Sequence, residues 1–274
     1  MHSLIFDQVS FGYADELLTD ISFTCSTGWT AVVGTNGAGK TTLLELAAGV
    51  LAPTRGTIRR TRLDSVAVVA QRVDEPEAAI TELAWSYERA ALRWRARFAL
   101  GDDDVARWPT LSPGERKRWQ LAAALAREPE LLIIDEPSNH LDAEALAVAG
   151  DALAQFGGVG LIVSHDRDLL DRLATQTLRV DAGRVRAWPG GYTAARAAWE
   201  AEHASLRARR GQLAGERRRA ERYLADSRRR HASAERSTST SGRMRNAHDS
   251  DARTITANNL AAWAAANAGR QVQR

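Results

Sequence analysis

The segment GTNGAGKT at positions 34–41 restricts the possible folds of this chain more than any other feature. It follows a short apolar run, 30–33, that reads as a strand, and it opens 40–49, which reads as a helix. In that setting Gly34, Gly37 and Gly39 let backbone N–H groups turn inward around phosphate oxygens, and the helix N-terminus favours their negative charge. Thr35, Asn36, Ala38 and Thr42 complete the cradle. Lys40 is placed to reach β- and γ-phosphates, and Thr41 offers a hydroxyl to Mg²⁺. A strand, glycine loop and helix in this order belong to an α/β core with a parallel sheet.

Other strand ends carry further chemistry. The run LLII at 131–134 has the length and composition of a strand buried on both faces, and Asp135 and Glu136 follow it directly. Asp135 there can hold Mg²⁺ through water. Glu136 can orient an attacking water and accept its proton. His165 follows the apolar run GLIV and Ser164, which puts it at another strand's carboxyl end, near a γ-phosphate. Gln71 ends the run 65–70 and can contact metal and water. Tyr13, in VSFGY, can stack on a base or pack into the core.

Hydrophobic periodicity supplies the rest of the framework. Residues 3–10 and 21–26 read as strands with ADELLTD as the turn between them, and 65–70 as a buried strand. Pro53 and Gly56 mark the turn after the first helix. Ile80, Leu83, Tyr87, Trp94 and Phe98 form one apolar helical stripe, read as packing. Ser112 with Glu115 is a capping-box pattern ahead of a helix through Ala126. A helix over 143–156, a strand at 160–163 and a hairpin of 177–180 with 184–187 follow.

Beyond Gly190 the composition changes. Between Arg196 and Arg245 there are 14 Arg, no Lys and 6 acids, a balance of +8 that leaves −5 on the rest of a chain whose total is +3. Trp199, Leu206, Leu213 and Ala220 recur every seven residues, one narrow apolar seam on a charged helix. The Ser/Thr-rich stretch at about 237–251 reads as a polar tip, and 254–268 as a returning helix. The first arm of such a hairpin spans roughly 60 Å at the α-helical rise. A basic extension of this kind suits a polyanionic partner, although a solvated charged face explains many such runs. Cys25 is the single cysteine, which excludes an internal disulfide and points to a reducing compartment. With no signal-peptide pattern and no apolar run of about 20 residues, the expectation is a cytoplasmic protein without membrane insertion.

Taken together, these motifs resemble the ATP-binding cassette (ABC) ATPases from Leu4 to about Ala187. They run in that family's order: aromatic loop, Walker A, Gln loop, signature LSPGE at 111–115, Walker B, D-loop and His switch. DEPSNHLD at 135–142, SHDRDLLD at 164–171 and the PGGY element are most similar to the soluble F subfamily (ABC-F), with Ser138 where its pattern has Thr. The resemblance implies an ABC-type P-loop nucleotide-binding domain over 1–189, with a mixed sheet core, an antiparallel β subdomain and a small helical subdomain at about 72–126. A basic helical hairpin at 190–274 would occupy the place of the interdomain linker. It also implies an Mg-dependent ATPase in which two cassettes sandwich ATP, so that Ser112, Gly114 and Asp142 serve the nucleotide held by the opposite cassette. For ABC-F proteins it implies action on the ribosome, through rRNA and the P-site tRNA, in translation regulation or antibiotic protection.

Beyond Ser138, two larger features depart from the subfamily. One cassette is present where it has two, so the partner is either a missing C-terminal half or a second copy. Only 40 residues separate Gln71 from Ser112, which leaves no room for the extra arm of some translation-factor members and favours the resistance-type or uncharacterised branch. Two other readings share the motifs: an ABC transporter's ATPase subunit, and a DNA-acting member, because arginine does not distinguish rRNA from DNA phosphate.

Overall fold

In the computed structural model, residues 2–238 and 259–263 are described. Compactness divides the chain into two units, Met1–Ala201 and Glu202–Arg274.

The first unit contains two sheets. β1 (Ser3–Gly12), β2 (Glu16–Ser26) and β4 (Arg55–Thr61) form an antiparallel sheet in the order β2-β1-β4. The second sheet has the order β5-β6-β7-β3-β8-β9, from β3 (Gly28–Gly34), β5 (Val66–Val69), β6 (Leu131–Asp135), β7 (Val159–Val163), β8 (Ala174–Asp181) and β9 (Arg184–Pro189). Its neighbours are parallel except for the β8–β9 hairpin. This is the ABC-type mixed sheet core with its antiparallel subdomain.

Strand β6 shows why an unbroken aliphatic run was the right sign of a central strand. Leu131 and Ile133 join the core that contains Val32, Leu43, Leu46 and the β1–β2 side chains. Leu132 and Ile134 point the other way, into a core with Trp29, Leu121, Leu153 and Ile162. The first core is covered by α1 (Lys40–Ala48). The second is covered by α2 (Ala78–Trp85), α3 (Arg89–Arg97), α4 (Pro113–Ala126), α5 (Ala143–Ala154) and α6 (Arg167–Leu173). Trp29 spans that layer and donates its indole N–H to the Leu153 carbonyl at 2.8 Å. Gly160 is required beneath it, since a Cβ there would run into the Trp29 ring.

Several expectations from the sequence are corrected. The turn after β1 is shorter than ADELLTD, because β2 begins at Glu16 and pairs it with Gly12. Strand β5 is an edge strand, not a buried one: Val66 and Val68 are exposed, and only β6 flanks it. The stripe from Ile80 to Phe98 is two helices. Ser86 leaves helical geometry at ψ 130, and its hydroxyl accepts the Glu88 N–H at 3.3 Å. The buried guanidinium of Arg95 takes the Ala84 carbonyl at the end of α2. Ile80, Leu83 and Phe98 are buried, whereas Tyr87, at the break, is exposed. Gly56 lies within β4, where φ 81 and the close approach of the Gln8 carbonyl demand glycine.

Helix α7 (Tyr192–Thr238) starts in the first unit. There Trp199 meets Trp188 and Tyr192 edge-on, and the Arg179 guanidinium lies 5.1 Å from its ring centre. Within the second unit the helix carries the i,i+4 pair Arg217–Glu221 at 2.8 Å. Leu206 and Leu213 of the heptad seam are exposed. The polar tip at about 237–251 falls outside the described residues but for its first two positions. The returning helix at 254–268 does so except for 259–263, which are helical.

Candidate functional site

Strand β3 delivers the chain to Gly34, whose bare Cα fits against β8: a Cβ there would run into the Val180 carbonyl. The loop then turns through Gly37 at φ 78 and Gly39 at φ 98, a left-handed geometry that glycine adopts without penalty. Gly39 is the N-cap of α1 and no side chain caps that helix, so its first amides are presented to the loop. The Lys40 ammonium folds back over the cradle and donates to the carbonyls of Gly34 and Thr35 at 3.0 and 3.1 Å. Thr35, Asn36 and Ala38 form the turn, which is closed by the Ala38 N–H on the Thr35 carbonyl at 3.2 Å. Thr42 faces inward as a buried residue of α1.

Pairing β7 with both β3 and β6 brings residues far apart in sequence to one sheet edge. Thr41 donates its hydroxyl to Asp135 Oδ2 at 3.1 Å. A hydroxyl and a carboxylate are hard oxygen donors, the set that suits Mg²⁺ held together with substrate phosphates. Glu136 is 5% exposed and adopts φ 52, unusual for a residue with a Cβ. Three contacts hold it there. Its N–H donates to the Val163 carbonyl at 2.8 Å, its Oε2 accepts the His165 backbone N–H at 3.2 Å, and its Oε1 lies 3.3 Å from His165 Nε2. Ser138, the residue that departs from the subfamily pattern, bonds Ser164 at 3.1 Å and so joins the same two loops.

A cleft of about 330 Å³ opens beside the loop, lined by Gly34, Thr35, Lys40, Glu136, His165 and Arg167 among others. It is also lined by Arg179, by Tyr192 of the PGGY element and by Trp199 of the heptad seam, none of which the sequence had assigned to a site. No local pattern places them at the cleft; the return of the chain through β8 and α7 brings them there.

The remaining predicted residues lie elsewhere. Tyr13 is exposed, edge-on to Phe11 with ring centres 5.1 Å apart, and its hydroxyl reaches Glu45 Oε2 at 3.5 Å. Gln71 does not line the cleft beside the loop; it shares a separate one with Pro113, Lys117 and His140. Ser112 caps α4: its Oγ accepts the Glu115 N–H at 3.2 Å, while Glu115 Oε2 accepts the Ser112 N–H at 2.7 Å. Bonds from the Ser112 hydroxyl and amide hold the Glu115 carboxyl below the ordinary glutamate range. Gly114 packs so closely on the His140 carbonyl that a Cβ would collide with it. Asp142 caps α5 by accepting the Ala145 N–H at 2.8 Å.

The candidate residues thus fall into two groups, one beside each of two clefts with different linings. One combines the glycine loop with Asp135, Glu136 and His165; the other combines the start of α4 with Gln71, His140 and the start of α5.

The family model described as "ABC transporter" matches residues 18–139. The chain is 37% identical over 182 residues to the ATP-binding protein Uup of Caulobacter vibrioides, covering 60% of this chain and 29% of that protein. It is 35% identical over 196 residues to the energy-dependent translational throttle protein EttA of Escherichia coli (strain K12), covering 66% and 35%. The putative ATP-binding protein YdiF of Bacillus subtilis is 34% identical over 193 residues, covering 67% and 30%. The chain thus spans about a third of the length of these curated relatives. Among solved structures, an ATP binding subunit of an ABC transporter superposes with a TM-score of 0.58 at 24% identity, over 68% of this chain and 89% of that one, a likeness of fold.

Proposed function

Since this chain is an ABC-family ATP-binding cassette with ABC-F proteins among its relatives, we propose that it binds and hydrolyses ATP between two cassettes and acts on the ribosome. One observation carries the two-cassette reading. Ser112 and Gly114 are fastened to their own cassette's His140 and Glu115, in a group separate from the glycine loop. They serve a triphosphate only if it is presented by another cassette, either a C-terminal half or a second copy.

Within each site the chain's own residues divide the work. The loop amides and Lys40 hold the β- and γ-phosphates, and Tyr13 offers an open ring face to adenine. Thr41 and Asp135 would hold Mg²⁺, with Gln71 joining them once the cassettes close. The ion, when bound, neutralises phosphate charge. Glu136 accepts a proton from water as the water oxygen bonds to the γ-phosphorus and the bond to the β–γ bridging oxygen breaks, so that ADP and phosphate leave. His165 orients Glu136 through both of its nitrogen contacts and meets the γ-phosphate from the same side. Closure with ATP and opening after its cleavage supply the mechanical cycle.

The ribosomal part rests on kinship with a protein named for throttling translation and on the arginines of α7. Guanidinium groups pair with phosphates and stack on bases, and the 191–268 segment is the candidate contact with rRNA and P-site tRNA. Translation regulation and antibiotic protection are the two outcomes such binding can serve. Among the described residues no helix is long and apolar enough to cross a membrane.

The test is co-sedimentation of Glu136→Gln with ribosomes in Mg-ATP, compared with the same variant carrying Arg217, Arg218 and Arg219 changed to Gln. ATP-dependent binding that falls with the arginines supports the proposal. Absence of ribosome binding with ATP affinity intact removes the ribosome and leaves the ATPase.

A further inference from the structure

The buried face of α4 carries a cation that the chemistry above does not use. Lys117 is only 2% exposed. Its Nζ donates to the Ala70 carbonyl at 2.6 Å and to Gln120 Oε1 at 3.2 Å. Gln120, one turn further along α4, donates through Nε2 to Glu77 Oε1 at 3.3 Å. Trp108, just ahead of α4, donates its indole N–H to the Asp74 carbonyl at 2.8 Å. The segment that leaves β5 and contains Gln71 is thereby tied at its beginning, middle and end to α4 and the turn before it.

An ammonium is a costly group to bury, and a side chain of similar length without charge would fill the same space more cheaply. What the ammonium adds is direction. It fixes the carbonyl immediately before Gln71 relative to a helix whose first turn holds Ser112 and Gly114. The carboxylates of Asp135, Glu77 and Glu136 act on it electrostatically, so it also lies within the field of the cluster beside the glycine loop.

We propose that Lys117 is a positioning residue that locks the 70–77 segment to α4, so that displacement of Gln71 by the nucleotide of its own cassette moves Ser112 and Gly114 against the nucleotide of the other. The two nucleotide sites are then coupled through one buried side chain. This rests on the two-cassette reading above, and its test separates the two.

The experiment uses the full chain as Glu136→Gln, alone and with Lys117→Met. Hydrogen exchange of residues 70–77 is followed without nucleotide. Affinity for a fluorescent ATP analogue and ATP-driven pairing by sedimentation are measured alongside. Lys117→Met is expected to speed exchange within 70–77 and to leave analogue affinity within about twofold. It should raise the ATP concentration needed for pairing about tenfold, inside the usual range of site-to-site coupling. Gln120→Leu, which removes the Glu77 tie, should shift both readouts in the same direction by less, and it carries the test if Lys117→Met does not fold. Unchanged exchange at 70–77 in a folded variant overturns the proposal, as does faster exchange with unaltered pairing. Exchange that rises throughout the protein, with equal loss of nucleotide affinity, overturns it too, because the lysine is then a core residue and nothing more. If the Glu136→Gln parent itself fails to pair with ATP, the two-cassette reading falls, and the proposal with it, since no second site is left to couple.

Discussion

Replacing Lys117 by methionine should change how stability depends on pH, with a sign and size that follow from its surroundings. Burial pushes the ammonium from 10.5 down to about 8, and the carboxylates of Asp135, Glu77 and Glu136 restore only part of the loss. Below pH 8 the lysine is protonated in both the folded and the unfolded chain, so its full desolvation cost is present. Between about 8 and 10.5 the unfolded chain binds more of this proton than the folded one, and stability rises with pH. The whole shift corresponds to about 3 kcal/mol. Integrated from neutrality, about 1 kcal/mol returns by pH 9 and about 2 by pH 10. Urea unfolding of wild type and Lys117→Met, followed by tryptophan fluorescence at pH 7, 8, 9 and 10, isolates this term, because other titrating groups cancel in the difference. The wild type should gain on the variant steadily across that interval. A difference that stays flat from pH 7 to 10 would show that Lys117 holds its proton as a solvated lysine does, and the buried-cation argument would be refuted.

Glu136→Gln keeps the acceptor for the His165 N–H but cannot take a proton from water, so phosphate release should slow by about 10²- to 10⁴-fold with ATP affinity retained; unchanged turnover in a phosphate-release assay would remove Glu136 as the base. Ser112→Ala removes the cap on the Glu115 N–H and should cost about 1 kcal/mol, or roughly 2–4 °C in melting temperature for a domain of this size, while abolishing ATP-driven pairing. The depressed Glu115 carboxyl adds a sign: its contribution is present above the unfolded glutamate range and is lost as pH falls through the folded value, so the gap between Ser112→Ala and wild type should narrow in acid melts. Cys25 is fully buried and burial pushes its thiol up to about 12, so alkylation in native buffer at pH 8 should be undetectable by mass and should appear only with denaturant; rapid native labelling would contradict its place in the core.

The site was legible in proportion to how local its chemistry is. The glycine loop reads directly because its requirements, positive φ and a bare Cα, leave glycine as the residue that meets them. Strand β6 with its trailing Asp135 and Glu136 reads equally well, since burial on both faces leaves an unbroken aliphatic run. The capping boundary at Ser112 also matches to the residue. Errors cluster where neighbours decide. The run 65–70 is as apolar as a central strand, yet β5 has a single partner and exposes Val66 and Val68. The stripe from Ile80 to Phe98 keeps helical spacing through a break made by Ser86 and by the Arg95 guanidinium, eleven residues beyond the Ala84 carbonyl it takes. Spacing statistics do not register a carbonyl captured from another helix.

By itself, then, the order of residues determined a glycine loop between a strand and a helix, two acids at the end of a buried strand and a basic helix after residue 190, because each is imposed by backbone geometry, by alternation or by charge over a few neighbouring positions. Tertiary structure decided which of these meet. Parallel pairing of β7 with β3 and β6 sets His165 on Glu136 and Asp135 on Thr41, while Gln71 is carried off to the foot of α4 and Lys117 is sealed beneath it. Such meetings depend on strand order and on desolvation, quantities that belong to the whole fold and to no single stretch of chain.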